Sequence, residues 1–340
     1  MDKKQAEGIW RLFRTLCKRT YTFKHIEADI MLKEKGIPPF PTIGIGKGAV
    51  TAYESHSGRA AWIYSPWKDG RDWYLGFEYK GVGCEGGKMR RMGSGVWGGA
   101  YKFHAMEEHR FSRMAFEAGA FCQRPIAVYD YGTFYGKPLA VVVRSFVSPL
   151  RMSDFLFNKR LYSRYLETKG ETSQEHCDSV STLLGASVRS LLDAGLYHGT
   201  MGINNITSEG EIADFEPTGG GTWEGLMESQ DPFFRYIAIS RVLNAGKTSF
   251  PRYQKDFNQN FADAFFGRKV ELGPVKPALQ IAERYCKTKI ETGKQLKSNR
   301  RPAELRKAIR MVMQLRRGAK TAMDKRIYDY VLKTITEPPE

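Results

Sequence analysis

The sequence predicts an α+β chain folded as two lobes, β-rich toward the N-terminus and helical toward the C-terminus, with a cleft between them. Three observations carry that expectation. Short apolar runs alternate with Gly, Ser and Asp between residues 41 and 79 and again between 125 and 146, the pattern of antiparallel strands joined by turns. Beyond Ser153 the apolar residues recur mostly at helical spacing, notably from Ser179 to Ala194. Near the junction, Gly81 to Gly99 holds eight glycines in nineteen residues, and such density means pliant backbone or close approach to a ligand.

Composition bounds the class. At 340 residues, with 41% hydrophobic and 26% charged, the chain can bury a core and is neither collagen-like, coiled-coil nor wholly disordered. No apolar run approaches the ~18 residues of a membrane helix. Met1-Asp2-Lys3-Lys4 leads into no apolar signal region, so the expectation is a chain neither membrane-spanning nor conventionally secreted. The five cysteines, Cys17, Cys84, Cys122, Cys177 and Cys286, are odd in number, far apart and free of any CxxC pair. They suit reduced thiols in the cytoplasm better than a disulfide framework or a zinc site.

Net charge is +16, from 53 Lys+Arg against 37 Asp+Glu, which invites a nucleic-acid or acidic-membrane reading. From Pro251 to Glu340 alone there are 21 basic and 10 acidic residues. Within that stretch Leu305, Ile309, Val312 and Met313 recur at helical spacing with basic residues between them. Two readings stay open: a solvated helix face, or a docking surface for an acidic partner, RNA or anionic lipid. No RNP, zinc-finger or KH pattern names a nucleic-acid module.

The elements follow in order. Residues 1 to about 35 read as a basic helix with Ile9, Trp10, Leu12, Phe13 and Leu16 on one side, ending near Gly36-Ile-Pro-Pro-Phe-Pro. Thr42-Ile-Gly-Ile-Gly, Ala60-Ala-Trp-Ile-Tyr and Trp73-Tyr-Leu-Gly-Phe-Glu-Tyr are strands. A helix covers 102 to 120, and strands from Pro125 and Pro138 flank the turn Phe134-Tyr-Gly-Lys. A polar loop from Tyr197 to Gly221 interrupts the helical part. The expected division is 1–38 as a helical extension, 39–150 as the N-lobe, 151–250 as the C-lobe, and 251–340 as its basic helical remainder.

Chemistry concentrates in Tyr197-His-Gly-Thr-Met-Gly-Ile-Asn-Asn-Ile-Thr-Ser-Glu-Gly-Glu-Ile-Ala-Asp-Phe-Glu-Pro. This has the form of a protein-kinase catalytic and metal loop: His, Asn-Ile a few residues on, then an apolar strand ending in Asp-Phe. Mg²⁺ on a triphosphate needs hard oxygen ligands, and Asn205 and Asp214, nine residues apart across a hairpin, are the candidates. Alone, the segment reads more simply as a turn at Asn204-Asn205 and a strand end at Asp214. Kinase-like folds also need a strand Lys on the phosphates and a helix Glu to orient it. Lys80 ends a strand, and Glu108 lies 28 residues later on the expected helix.

Taken together these residues resemble the selenoprotein O family of kinase-like protein adenylyltransferases. His56-Ser57-Gly58-Arg59-Ala60 precedes Lys80-Gly81-Val82-Gly83 with an Arg-to-Lys spacing of 21, similar to the family's Gly-Asp-Gly-Arg-Ala and Lys-Gly-Ala-Gly elements. Arg91-Met92-Gly93-Ser94-Gly95 resembles its Arg-Met-Gly-Asp-Gly, and Glu107-Glu108-His109-Arg110 running to Gly119 resembles its Arg-Glu-Tyr-Leu helix. Arg144 and Arg151 repeat the family's two arginines seven apart. His198-Gly-Thr-Met-Gly-Ile-Asn204-Asn205-Ile-Thr, leading to Asp214-Phe-Glu-Pro217, resembles its catalytic segment. The likeness covers about residues 56 to 245.

The resemblance implies a protein-kinase-like two-lobed α+β fold, ATP with Mg²⁺ or Mn²⁺ as cofactors, and transfer of AMP to a hydroxyl of a protein acceptor. Carried over, Lys80 binds phosphate and Glu108 holds Lys80. Asn205 and Asp214 ligate the metal. Arg59, Arg144 and Arg151 grip the phosphates, with Gly58, Ser94 and Gly95 also at the nucleotide. Guanidinium forks suit a pyrophosphate leaving group. Two positions depart from the family: Asn204 stands where it has the Asp taken as general base, and Ser94 stands where a nucleotide-contacting Asp is usual. An amide accepts no proton near pH 7, which weakens base-assisted attack by ~10²–10⁴. Phosphoryl transfer, acyl-adenylate formation on a carboxylate and an ATP-binding pseudokinase scaffold are therefore the alternatives. His198, Glu216 and Asp193 are the nearby groups that could substitute for the base.

Overall fold

The computed structural model describes residues 2–17, 20–23, 50–54, 60–70, 72–81, 90–92, 95–97, 99–215, 232–273 and 276–292, with a few positions between 313 and 332. Thr42-Ile-Gly-Ile-Gly, Glu216 and most of the basic stretch from Pro302 lie outside the described residues.

Helix α1 (Lys3–Arg14) starts at a capping box, with Gln5 N donating to Asp2 Oδ1 at 2.8 Å and Asp2 N to Gln5 Oε1 at 2.9 Å. Ile9, Trp10, Leu12 and Phe13 are buried on one face. The helix is shorter than its basic, amphipathic pattern suggests, because Thr20–Phe23 forms strand β1. Thr-Tyr-Thr-Phe is β-branched and aromatic throughout, and that strand preference wins.

Strand β1 pairs antiparallel with β2 (Val50–Glu54), β2 with β3 (Ala60–Asp69), and β3 with β4 (Asp72–Lys80). A small hairpin, β5 (Arg90–Met92) with β6 (Gly95–Trp97), lies in the glycine-dense stretch. Helix α2 (Lys102–Glu117) leads to β7 (Arg124–Phe134) and β8 (Lys137–Ser145). Tyr135 and Gly136 turn between these strands with φ of 52° and 73°, the left-handed pair of a tight hairpin. Strand β8 inserts beside β4, so the sheet order is β1-β2-β3-β4-β8-β7. That insertion brings β8 next to the strand that ends in Lys80.

The C-terminal part is helical: α3 (Met152–Leu156), α4 (Lys159–Lys169), α5 (Ser173–Asp193), α6 (Pro232–Ser249), α7 (Gln254–Phe266) and α8 (Pro277–Thr292). Val180, Leu184 and Val188 of α5 pack with Ile239, Val242, Phe257 and Phe261, and Phe111 and Ala115 of α2 join the same core. A second core unites α1 with Trp62 and Leu75 of the sheet and with Phe155, Leu161 and Tyr165 of α3 and α4. Gln5 Nε2 also donates to Lys169 O at 2.9 Å. Helix α1 thus packs on both lobes and splints the linker between them.

Helices α5 and α7 approach so closely at Gly185 that a Cβ there would stand 2.3 Å from the Phe261 carbonyl oxygen. Gly185→Ala gains up to ~1 kcal/mol of helix propensity, but the collision with backbone forces the helices apart. A net loss of about 1–3 kcal/mol in urea unfolding is expected; a more stable variant would contradict this packing.

Candidate functional site

Four elements converge on one buried cluster. Glu78 and Lys80 lie two residues apart on β4 and share a face, and β8 places Arg144 in register opposite Glu78. Helix α2 supplies Glu108, and Gln123 stands immediately before β7. Asp214 follows a short hairpin in which Ile206 pairs with Ile212 and Gly210 turns at φ +87°. Gln123 N donates to Ile212 O at 2.9 Å and Ile212 N to Phe121 O at 3.0 Å, tying this hairpin to the N-lobe. Met152 N donates to Ile206 O at 3.0 Å and Ser208 N to Leu150 O at 2.8 Å, tying it to the inter-lobe linker.

Lys80 Nζ lies 3.0 Å from Glu108 Oε2 and 3.0 Å from Asp214 Oδ1. Arg144 meets Glu78 through Nε at 2.5 Å, and through Nη1 it meets Glu108 at 2.5 Å, Gln123 Oε1 at 2.7 Å and Asp214 Oδ1 at 2.7 Å. Gln123 Oε1 also accepts from the Asp214 backbone N–H at 3.0 Å, and its Nε2 donates to Ser112 Oγ at 2.5 Å. Glu108 and Gln123 are fully buried and Arg144 nearly so, whereas the Asp214 side chain is 20% exposed. Burial pushes the Asp214 carboxyl up, but Arg144, Lys80 and Arg151 outweigh it and hold its pKa well below the usual range. Burial likewise opposes the charge on Arg144, and Asp214, Glu78 and Glu108 reverse that effect. Asp214 sits at φ +60°, a left-handed backbone uncommon outside glycine, and its N–H bond to Gln123 helps fix it.

The preceding loop is held by His198. Its Nε2 donates to Ala213 O at 2.9 Å, and its Nδ1 accepts from Thr200 N at 3.2 Å. Burial lowers its pKa to about 4, so the imidazole is neutral near pH 7 with both nitrogens engaged. Asp193, on α5, accepts from Arg189 at 2.6 Å and from the Tyr285 hydroxyl at 2.9 Å. Neither group stands free as a base. Asn205 Nδ2 donates to Thr200 O at 3.0 Å and to Thr200 Oγ1 at 3.1 Å, and Asn205 O accepts from Ala213 N at 2.9 Å. Asn205 therefore lies beside the residue that precedes Asp214, while Asn204 is exposed. An amide oxygen and a carboxylate are hard donors of the kind Mg²⁺ takes with phosphate, so the residue types fit that ion. A cation there competes with Lys80 and Arg144 for Asp214. Among the described residues there is no group of three or more His, Cys, Asp or Glu that could hold a metal ion.

Below the linker, Glu211 is fully buried and accepts from Val147 N at 2.9 Å and Ser148 N at 3.1 Å. Burial raises its pKa to about 8, against those two N–H donors and Arg151. Arg151 stacks 4.7 Å over Phe146, and its buried Nη1 has no hydrogen-bond partner among the described residues.

The structure therefore brings Lys80, Glu108, Arg144 and Asp214 together, with Arg151 close enough to act on Asp214, and ties Asn205 to Ala213 through the backbone. It places Asn204 at the surface and Gly95 in β6. Gly58, Arg59 and Ser94 lie outside the described residues. Gln123, Glu78 and Ser112 were not expected. Glu78 carried a usable signal, a carboxylate on the same strand face as Lys80; Gln123 and Ser112 carried none.

Replacing Arg144 by Met removes the cation paired with Glu78 and leaves Lys80 alone to balance Glu108 and Asp214, and it is expected to cost about 3–5 kcal/mol in chemical unfolding. Loss under 1 kcal/mol would contradict the buried network. His198 gives a pH test. Its folded pKa lies below 6.5, so the unfolded chain binds the extra proton and stability falls as pH drops from about 6.5 toward 4. The stability difference between wild type and His198→Gln should shrink by about 2 kcal/mol from pH 6.5 to pH 5. Glu211 works in the opposite direction and is common to both proteins. A constant difference would mean that His198 titrates alike in the folded and unfolded chain.

No protein-family model matches the chain, and no curated protein matches it. Among solved structures, the chain is similar to WaaP in complex with acyl carrier protein, at 14% identity over 70% of this chain and 87% of that one, TM-score 0.32. It is similar to the Neurospora crassa PAN3 pseudokinase at 14% identity over 89% and 75%, TM-score 0.31. ROP2 from Toxoplasma gondii, described as a virulence factor with a protein-kinase fold and no enzymatic activity, matches at 11% identity over 88% and 100%, TM-score 0.30. The sheet order, the Lys80–Glu108 pair and the approach of Asp214 to Lys80 are what give this chain its protein-kinase-like fold.

Proposed function

We propose that the protein is an ATP-dependent transferase that moves AMP from ATP to a protein hydroxyl, with Mg²⁺ or Mn²⁺ as cofactor. The observation that carries this reading is Lys80, a buried strand lysine held 3.0 Å from both Glu108 and Asp214. A lysine so placed is oriented for a phosphate oxygen. Transfer of AMP rather than phosphate rests on the ordered likeness of residues 56 to 245 to the adenylyltransferase family.

Asn205 and Asp214 would hold the metal, whose contribution is to neutralise phosphate charge. Lys80 and Arg151, with Arg59 in the family's pattern, would grip the polyphosphate. Glu108 and Gln123 keep Lys80, Arg144 and Asp214 in register. In the reaction the acceptor oxygen bonds to the α-phosphorus as the bond to pyrophosphate breaks, and the hydroxyl proton leaves to solvent. The exposed amide of Asn204 cannot take that proton, and His198 has both nitrogens engaged. Catalysis then rests on positioning and positive charge and runs slower by ~10²–10⁴ than with a base. A carboxylate acceptor, already ionised, escapes that limit. The second reading is an ATP-binding pseudokinase scaffold. Asn204 in place of an acid, and the double ion pair on Asp214, favour it.

Intact-mass spectrometry after incubation with ATP and Mg²⁺ or Mn²⁺ distinguishes these readings. An added AMP mass is expected for wild type and absent in Lys80→Ala and Asp214→Ala, and Asn204→Asp should raise the rate roughly tenfold or more. An added phosphate overturns AMP transfer. Bound ATP with no adduct selects the scaffold.

A further inference from the structure

The corner between α3 and α4 carries a surface that nucleotide chemistry does not use. Phe155 turns inward at 8% exposure, but Leu156 is 38% exposed and Phe157 88%. This is ordered chain. Asn158 N donates to Phe155 O at 3.3 Å, and Asn158 Oδ1 accepts from Leu161 N at 2.9 Å to cap α4. The backbone on both sides of Phe157 is therefore fixed, and the ring is held out into water, where a large apolar side chain costs free energy unless something covers it.

The helix that follows it, and the helix packed on that one, carry exposed cations. Lys159, Arg160 and Arg164 are exposed on α4. Helix α1 runs alongside, with a Cβ on Gly8 falling 2.4 Å from Thr168, and it exposes Lys3, Lys4, Arg11 and Arg14. Against these seven cations the same two helices expose only the carboxylates of Glu7 and Glu167. None of the seven forms an ion pair among the described residues.

We propose that this corner seats the protein on an anionic lipid surface, with Phe157 entering the headgroup layer and the basic faces of α4 and α1 meeting the lipid charge. The form of the patch favours a bilayer over an acidic protein. Phe157 and Leu156 protrude rather than line a groove, and the cations are spread over the outer faces of two neighbouring helices. A protruding ring needs a matching pocket in a protein partner but enters the lipid interface anywhere. The net charge of +16 adds long-range attraction in the same direction. The corner is coupled to the candidate site through α3, since Ser153 N donates to Ile203 O at 3.1 Å, beside Asn204 and Asn205. A protein docked this way would hold that segment near the membrane surface.

Co-sedimentation of the full chain with vesicles tests the proposal. Binding is expected to vesicles of phosphatidylcholine with 30 mol% phosphatidylserine, to be absent with phosphatidylcholine alone, and to be released by high salt. Lys159→Glu/Arg160→Glu/Arg164→Glu should weaken binding at least about tenfold, and Phe157→Ala should weaken it several-fold, both with an unchanged unfolding midpoint. Failure to bind the anionic vesicles overturns the proposal. So does undiminished binding by the triple variant, which would move the attraction to the basic C-terminal stretch. Binding of polyglutamate but not of vesicles would assign the corner to an acidic protein and overturn the lipid reading.

Discussion

Three carboxylates, Glu78, Glu108 and Asp214, are gathered around the guanidinium of Arg144, and the rest of the structure depends on that one ion cluster. Strand β4, helix α2, strand β8 and the hairpin before Asp214 each contribute a charge to it. Buried charges are tolerated only when paired and hydrogen-bonded. Lys80 and Arg144 supply two positive charges against three negative ones, and Gln123 supplies the neutral bonds that complete the set. The cluster thus fixes where α2 sits on the sheet and where Asp214 meets it.

The same constraint links the lobes. Asp214 belongs to the C-terminal part, yet its carboxylate and its N–H are held by Lys80, Arg144 and Gln123 of the N-terminal part. Two further ties act in parallel: the pairing of Phe121 and Gln123 with Ile212, and α1 lying across both cores. Opening between the lobes must break these together. Phosphate arriving at Lys80 would offer the ammonium an alternative partner to Asp214.

Much of this was legible in the sequence, for identifiable reasons. Alternating runs marked β3, β4, β7 and β8, and the turn at Tyr135-Gly136 was visible because Gly136 tolerates positive φ, although Tyr135 is drawn into the same region. The pairing of Lys80 with Glu108 followed from a strand lysine and a helix glutamate at kinase-like spacing. Other features were hidden. Strand β1 was concealed by the basic residues that extend the α1 pattern past its end. Gln123 is an uncharged residue immediately before a strand, and nothing local distinguishes it; its role exists only once α2 and the Asp214 hairpin are folded against it. Arg144 was visible as one of two arginines seven apart, but composition and spacing could not show that its guanidinium would be spent on carboxylates inside the cluster.

The central claim is that Lys80, Glu108 and Asp214 form a polyphosphate site. Calorimetric titration of a non-hydrolysable ATP analogue with Mg²⁺ into wild type and Lys80→Met tests it without requiring any turnover. One site per chain, weakened at least about tenfold by loss of the ammonium, is the expected result. No binding to the folded wild-type protein, or equal affinity in the variant, would contradict it.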